Sequence, residues 1–156
     1  MTDVRQRIIA WARGEVGTVE SPADSNHTKY GEWFGLNGVP WCGIFVSWCY
    51  AQAGSPLPNI GFKHGYAGCQ TAVRYFTDNG LIVTDPEPGD IVFFDFNGDR
   101  RYDHTGLYIQ ESPLDPRRGF ITIEGNTSHG NQTNGGAVME RSRVNKGVVF
   151  ARVLPK

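Results

Sequence analysis

The sequence predicts an α+β fold in which several helices precede an antiparallel sheet. Apolar residues recur at helical spacing in the first half of the chain, whereas short apolar runs bounded by turn residues fill the second half. Helices followed by strands, rather than alternating with them, are typical of helices packed on one face of an antiparallel sheet. Since the 156 residues contain no internal repeat or low-complexity linker, residues 1–156 are expected to form a single domain.

The helices are predicted from apolar stripes and from capping residues. The first spans residues 3–16, with Asp3 or Thr2 as its N-cap. A short second helix follows an Asn26 cap and ends near Gly35. The other predicted elements, apart from the helix described next, are a helix over 69–78 and strands over 90–94, 104–110, 119–124, 138–143 and 148–153.

A cysteine stands at the start of the third predicted helix. Pro40 suits the first turn of a helix, because its missing N–H costs no hydrogen bond there, and Gly54 marks the end. Cys42 then lies beside unpaired backbone N–H groups and the positive end of the helix dipole. A thiol in that position has its pKa lowered from about 8.5 toward neutrality or below. Cys42 is therefore a candidate nucleophile.

The other two cysteines are predicted to be structural. The chain has three cysteines, and an odd number argues against a disulfide framework. Cys42 and Cys49 are two helical turns apart, about 10 Å, which exceeds the span of a disulfide. Cys49 and Cys69 are expected to be buried, inert thiols. The spacing of cysteines and histidines matches no zinc site.

A predicted hairpin in the second half offers a general base. The strands over 104–110 and 119–124 are joined by a polar loop that is short enough for a hairpin. The first residue of one strand and the last of the next then meet at the same edge of the sheet. This brings His104 opposite Glu124 and Asn126. A carboxylate there would fix the imidazole tautomer and support its positive charge.

The order of these residues resembles the CHAP domain (cysteine, histidine-dependent amidohydrolase/peptidase) of the bacteriophage endolysin type, in the papain-like superfamily. Four motifs in the family's order carry the resemblance: WCGIFVSW at 41–48, PGDIVFF at 88–94, DHTGLY at 103–108 and IEGN at 123–126. Each motif is weak alone, whereas four at compatible spacing are specific.

The resemblance implies a papain-like (CHAP/NlpC-type) fold and a thiol hydrolase that cuts an amide bond of bacterial peptidoglycan. Cys42 would be the nucleophile, His104 the general base and later acid, and Glu124 the carboxylate that orients the imidazole. Asn126 would hold the histidine or line the oxyanion site. An N-acetylmuramoyl-L-alanine amidase and a peptidoglycan endopeptidase would use the same machinery.

Three further residues are candidate substrate contacts. Tyr30 and Trp41 are close to Cys42 in sequence, although core packing is the alternative for each aromatic ring. Asn37 is a candidate second oxyanion donor beside the backbone N–H of Cys42, on sequence proximity alone.

One acidic segment matches a calcium loop in part. Acidic or amide side chains occupy positions 1, 3, 5 and 9 of such a loop at Asp95, Asn97, Asp99 and Asp103. Arg100 and Gly106 stand where the loop needs its glycine and its bidentate glutamate. A tight Asn-Gly turn is therefore preferred. Some family members bind calcium upstream of the cysteine, where this chain offers only Asp24, Asn26 and Glu20. No metal or other cofactor is expected to be required, and calcium is the less favoured alternative.

The composition and the N-terminal sequence limit the possible partners and the location of the protein. A net charge of −1 gives no basis for binding nucleic acid or an anionic membrane, and no apolar segment is long enough to span a bilayer. Met1–Arg7 leads into a charged helix and has no signal-peptide features. The protein is expected to be a monomer that accumulates in the host bacterial cytoplasm and meets peptidoglycan in the cell wall after lysis begins.

Three other functions stay open. An NlpC-type peptidase shares the cysteine–histidine layout but usually has a third histidine or polar group, and the Glu124–Asn126 motif favours CHAP. A non-catalytic cell-wall-binding module is disfavoured because all three catalytic residue types are retained. A cytosolic thiol amidase, such as a deamidase or transglutaminase, would use the same residues on a soluble substrate.

Overall fold

The computed structural model describes residues 3–154, in which four α-helices precede six β-strands. The helices are α1 (Val4–Glu15), α2 (Lys29–Phe34), α3 (Cys42–Gln52) and α4 (Cys69–Asp78). The strands are β1 (Ile82–Val83), β2 (Ile91–Phe94), β3 (His104–Glu111), β4 (Gly119–Thr127), β5 (Ala137–Val144) and β6 (Val148–Ala151). The predicted order of helices and strands is confirmed. Within residues 3–154, every helix is too short or too polar to cross a bilayer.

The strands form one antiparallel sheet in the order β1-β6-β2-β3-β4-β5. The predicted hairpin is β3–β4, in which Leu107 pairs with Ile123. Strand β6 comes last in the chain but lies between β1 and β2, where Phe150 pairs with Val92. Strand β1 was not predicted, because its two residues are too few to show a periodicity.

The main core lies between the helices and one face of the sheet. Phe93, Leu107 and Ile123 of the central strands belong to it, and α3 is buried at every residue from Cys42 to Tyr50. The opposite face of the sheet carries a smaller cluster of buried residues, Val92, Phe94, Tyr108, Phe120 and Phe150. Helix α3 is thus the central helix of the fold, and its first residue meets the sheet.

A glycine sets the distance between α3 and β4. A Cβ added to Gly125 would lie 2.7 Å from Cβ of Phe45 and 2.9 Å from a ring carbon of Trp41. These distances are shorter than van der Waals contact, so a side chain at this position would force the helix away from the strand. Gly125 therefore allows the start of α3 to pack closely against β4, next to Glu124, which directly precedes the glycine.

The first two helices are capped by side chains that differ in part from those predicted. Asp3 caps α1 as predicted, by accepting a hydrogen bond from the backbone N–H of Arg5 at 3.3 Å; Thr2 lies outside the described residues. Thr28, rather than Asn26, caps α2. Asn26 adopts a left-handed conformation with φ of 57°, which places it in the preceding turn.

Candidate active site

Cys42 is the first residue of α3 and lines a cavity of about 500 Å³. Trp41 is the N-cap and makes no side-chain capping bond, so the N–H groups of the first turn keep their positive potential. Pro40 lies two residues before the helix and not in its first turn, because the helix begins at Cys42. The Cys42 residue is only 3% exposed, and the cavity gives its sulfur the access that a nucleophile needs.

His104 is the first residue of β3 and is fully buried. Its Nε2 lies 2.9 Å from Oε1 of Glu124, as the predicted hairpin requires. Its Nδ1 has no hydrogen-bond partner within residues 3–154, and the Cys42 thiol is close enough to raise the pKa of the ring. With Nε2 donating to the carboxylate, Nδ1 is the nitrogen that serves the thiol.

Glu124 is a fully buried carboxylate surrounded by donors. It accepts hydrogen bonds from Arg143 at 2.8 and 2.5 Å and from the Thr122 hydroxyl at 2.5 Å, in addition to His104. A Cβ on Gly106 would lie 2.5 Å from Cγ of Glu124, so the glycine of β3 leaves room for this side chain. Burial raises the pKa of Glu124, but the bonds from Arg143 and His104 outweigh it and lower the pKa to about 2.

The electrostatics of the site favour a thiolate beside an imidazolium. A hydrogen bond from Cys69 lowers the pKa of the Cys42 thiol, burial raises it, and the neighbouring His104 ring lowers it further, to well below its ordinary value. Burial lowers the pKa of His104, whereas its contacts with Cys42 and Glu124 raise it to about 9. An activated thiol requires both shifts.

Cys69 is buried, as predicted, but it lies beside the candidate nucleophile. It begins α4 and lines the same cavity as Cys42. Its hydrogen bond to Cys42 and its burial raise the pKa of its own thiol, so it stays a protonated donor toward the thiolate. Cys49 lies in the core, where burial raises the pKa of its thiol.

The walls of the cavity come mainly from loops. The apolar lining side chains include Leu36, Val39, Ile60, Phe62 and Tyr102. Thr71 and Asp103 supply polar groups. The segment from 55 to 68 carries no periodicity in the sequence, so its contribution to the cavity could not be predicted.

Tyr30 and Trp41 belong to the core. They are 0% and 1% exposed, and their rings stack with centroids 5.6 Å apart. The Tyr30 hydroxyl donates to Glu15 at 2.8 Å, and Nε1 of Trp41 donates to Glu20 at 3.0 Å. Neither ring has surface for a substrate, so the predicted substrate contact is wrong for both and the alternative of core packing holds.

Asn37 and Asn126 use their amides to hold loops. Oδ1 of Asn37 accepts from the backbone N–H of Thr28 at 3.1 Å. Asn126 is buried in a left-handed conformation, donates to Oδ1 of Asn134 at 3.0 Å and accepts from the N–H of Gly136 at 3.2 Å. Neither amide is hydrogen-bonded to His104 in the described residues, where His104 bonds Glu124 instead. The roles of Asn37 and Asn126 at the oxyanion stay predictions.

Arg143 is a buried residue of this site that the sequence did not reveal. It lies on β5, is 7% exposed, and binds Glu124 through two N–H groups. Its guanidinium lies 5.1 and 5.0 Å from the rings of Phe94 and Phe96. It stands nineteen residues from its partner, and no local pattern marks that distance. A buried arginine needs a carboxylate partner, but the burial of Arg143 is visible only in the structure.

The acidic segment before His104 forms a turn. The Asp95 carboxylate accepts the backbone N–H groups of Gly98 at 2.9 Å and Arg100 at 2.8 Å. Carboxylate oxygens of Asp95, Asp99 and Asp103 lie within 4.8 Å of one another, and their hydrogen bonds are those of the turn. Upstream of the cysteine, the Glu20 carboxylate accepts a hydrogen bond from Nε1 of Trp41. The prediction that calcium is not required therefore stays a prediction.

The fold and the site define a papain-like α+β domain with a cysteine, a histidine and a glutamate in contact. The CHAP domain family model matches residues 34–126, which is more than half of the chain. The chain therefore belongs to the CHAP domain family.

Comparison with solved structures supports the same fold. The chain is similar to RipD from Mycobacterium tuberculosis, described as a non-catalytic NlpC/p60 domain protein adapted to peptidoglycan binding, with a TM-score of 0.57 and 16% identity. The similarity covers 99% of this chain and 100% of RipD. No curated protein matches this chain.

Proposed function

We propose that the protein is a peptidoglycan hydrolase that cleaves an amide bond with Cys42 as nucleophile. The observation that carries this proposal is the buried sequence of contacts from Cys42 to His104 to Glu124, which opens into a cavity at the sulfur. Membership of the CHAP domain family supports a function of the peptidoglycan-hydrolase type. Cleavage at the N-acetylmuramoyl-L-alanine bond and cleavage within the peptide are both within this proposal.

The reaction follows from the arrangement of these groups. The Cys42 thiolate attacks the amide carbonyl, and His104 gives its Nδ1 proton to the leaving nitrogen as the C–N bond breaks. His104 then takes a proton from water, which attacks the thioester and releases the acid and the thiolate. Backbone N–H groups at the start of α3 would stabilise each oxyanion, at about 3 kcal/mol for a well-placed donor.

Mass spectrometry of the material released from purified peptidoglycan tests this proposal. Wild type should release muropeptides whose new amino and carboxyl ends identify the bond cut, and Cys42→Ala should release none. Cys49→Ala is the matched control, since it removes a buried thiol far from the cavity walls. Equal release by wild type and the Cys42 variant would contradict a thiol mechanism.

A non-catalytic peptidoglycan-binding protein is the second candidate function. The similarity to RipD favours it, because that protein is described as non-catalytic and adapted to peptidoglycan binding. Co-sedimentation with insoluble peptidoglycan, without any release of muropeptides by wild type, would support this candidate over the hydrolase. The Cys42 thiol at the cavity, together with the His104–Glu124 pair, supports the hydrolase.

An endolysin role is part of the proposal and rests on the resemblance of the motifs alone. Lysis of whole cells should then require either a permeabilised membrane or addition of the protein from outside. The predictions of a monomer, of cytoplasmic accumulation, of no nucleic-acid partner and of no cofactor requirement stay predictions.

The rate of hydrolysis is expected to fall as the pH rises through about 9. His104 is protonated below its raised pKa and loses its proton above it, and the leaving nitrogen then lacks a donor. On the acid side the rate should fall only near the lowered pKa of Cys42. Because the two groups are coupled, the two apparent pKa values of the profile belong to the Cys42–His104 pair and not to either residue alone. Initial rates across a pH series at low substrate concentration measure this profile. A rate that keeps rising well above pH 9 would contradict the assignment of His104.

Replacing Cys69 by alanine should move the acid limb of this profile to higher pH. The variant removes the thiol that donates to the Cys42 thiolate, so the pKa of Cys42 should rise. Cys69→Ser keeps a donor at the same position and should retain most of the turnover. If alanine and serine variants both keep the wild-type acid limb, Cys69 only packs against the cavity.

A further inference from the structure

The two oxygens of Glu124 are both bound by the guanidinium of Arg143. Nε donates to Oε2 at 2.8 Å and Nη2 donates to Oε1 at 2.5 Å. Oε1 is also the oxygen that accepts from Nε2 of His104. A planar guanidinium that donates two parallel N–H groups fixes the plane of a carboxylate. The direction in which Oε1 meets the imidazole is therefore set by Arg143.

Arg143 is itself held in one place. Its Nη1 donates to Oε1 of Gln132, and its guanidinium lies over the rings of Phe94 and Phe96. The same two rings lie against His104, with centroid distances of 6.0 and 6.2 Å and interplanar angles of 28° and 29°. One pair of phenylalanines thus supports both the imidazole and the guanidinium that act on Glu124.

The charge of Arg143 decides which group holds the proton. Glu124 is fully buried, and a buried carboxylate without a cation favours its neutral form. A neutral Glu124 would no longer stabilise the imidazolium, and the Cys42 thiolate would in turn lose its counter-charge. The ionisable groups that act on Glu124 are His104 on β3 and Arg143 on β5. Arg141 is a more distant cation, bonded instead to Thr127 and Ser128.

We propose that Arg143 is a positioning residue of this site, which keeps Glu124 ionised and aimed at His104 so that the Cys42 thiolate persists. The role rests on the proposed thiol function. Arg143 is absent from the lining of the Cys42 cavity, so it acts through Glu124 and not on the substrate.

The test measures the thiolate directly and needs no peptidoglycan. The rate of carbamidomethylation of Cys42 by iodoacetamide is followed as a function of pH, and peptide mapping by mass spectrometry separates Cys42 from Cys49 and Cys69. Arg143→Met and Arg143→Lys are compared with wild type. Circular dichroism confirms that each protein is folded.

Arg152→Met is the matched control. Arg152 donates to both oxygens of the buried Asp90 through Nε, and to Oδ2 through Nη2 at 2.7 Å. Asp90 precedes β2, at the end of that strand opposite to Phe94, which pairs with His104. This variant removes an arginine from another buried carboxylate, which keeps its bond from Nη1 of Arg5 at 2.9 Å, so its effect reports the loss of an ion pair away from Glu124.

Wild type should stay reactive at mildly acidic pH. Arg143→Met should react about tenfold more slowly there, which corresponds to a rise of about one unit in the pKa of Cys42. The rate for Arg143→Lys should lie between those of wild type and Arg143→Met, because lysine keeps the positive charge but cannot donate two parallel N–H groups to the carboxylate. Arg152→Met should keep the wild-type profile.

A folded Arg143→Met protein with the wild-type profile would overturn the proposal. If Arg143→Met does not fold, Arg143→Lys decides, and a wild-type profile in that variant overturns it. An ordinary thiol pKa for Cys42 in wild type overturns it as well, since no ion pair would then need support. A lowered pKa in wild type without muropeptide release would instead refute only the proposed hydrolysis.

Discussion

Replacing His104 by alanine is expected to slow muropeptide release by about 1,000-fold, within the range that general acid–base catalysis supplies. Both proton transfers of the proposed reaction pass through Nδ1 of this ring, and the Cys42 thiolate loses its counter-ion with it. The fold should survive, because Glu124 keeps its bonds to Arg143 and Thr122 when the imidazole is removed. Initial rates with purified peptidoglycan, together with circular dichroism, measure both parts of this result.

His64→Ala is the control for a general effect of removing an imidazole. His64 stacks on Trp33 with ring centroids 4.7 Å apart and is not in contact with Glu124. This variant should retain most of the wild-type rate. A loss in His104→Ala no larger than that in His64→Ala would remove His104 from the mechanism.

Replacing Trp41 by alanine is expected to lower the free energy of unfolding by about 3–5 kcal/mol. The ring is 1% exposed, so its removal leaves a cavity between α2, α3 and β4. The Glu20 carboxylate also loses the indole donor at 3.0 Å, and an unsatisfied buried acceptor adds to the cost. Urea denaturation followed by circular dichroism measures the change.

Trp41→Phe separates the two contributions. Phenylalanine keeps most of the packing but cannot donate to Glu20, so the loss should be about 1–3 kcal/mol. Removing a residue that only contacts substrate would change the KM for peptidoglycan and not the free energy of unfolding. If Trp41→Ala kept the wild-type unfolding free energy and raised only the KM for peptidoglycan, the core assignment of the ring would be wrong.

The elements that position the thiol and the imidazole could be predicted because their signals are local. The start of α3 follows from an apolar helical pattern after a proline, and the meeting of His104 with Glu124 follows from the length of one loop between two strands. Strand pairing then brings the two side chains together, as the 2.9 Å contact shows.

The remaining residues of the site depend on information that the sequence pattern does not carry. The left-handed backbone of Asn126 turns its amide toward Asn134, although its neighbour Glu124 faces the histidine. Arg143 reaches Glu124 only because β5 pairs with β4, and no spacing rule fixes a register across a loop of that length. Cys69 meets Cys42 because two helices begin at the same cavity, a tertiary contact between segments with unrelated periodicities.

The place of β6 in the sheet has a consequence for biosynthesis. A ribosome completes β2, β3 and β4 before it adds Val148–Ala151, so the nascent chain holds both His104 and Glu124 while one edge of β2 is still open. An open strand edge is a template for pairing with other chains. Translation products that stop short of residue 148 should therefore associate with one another through the open edge of β2, which β6 covers in the full-length chain.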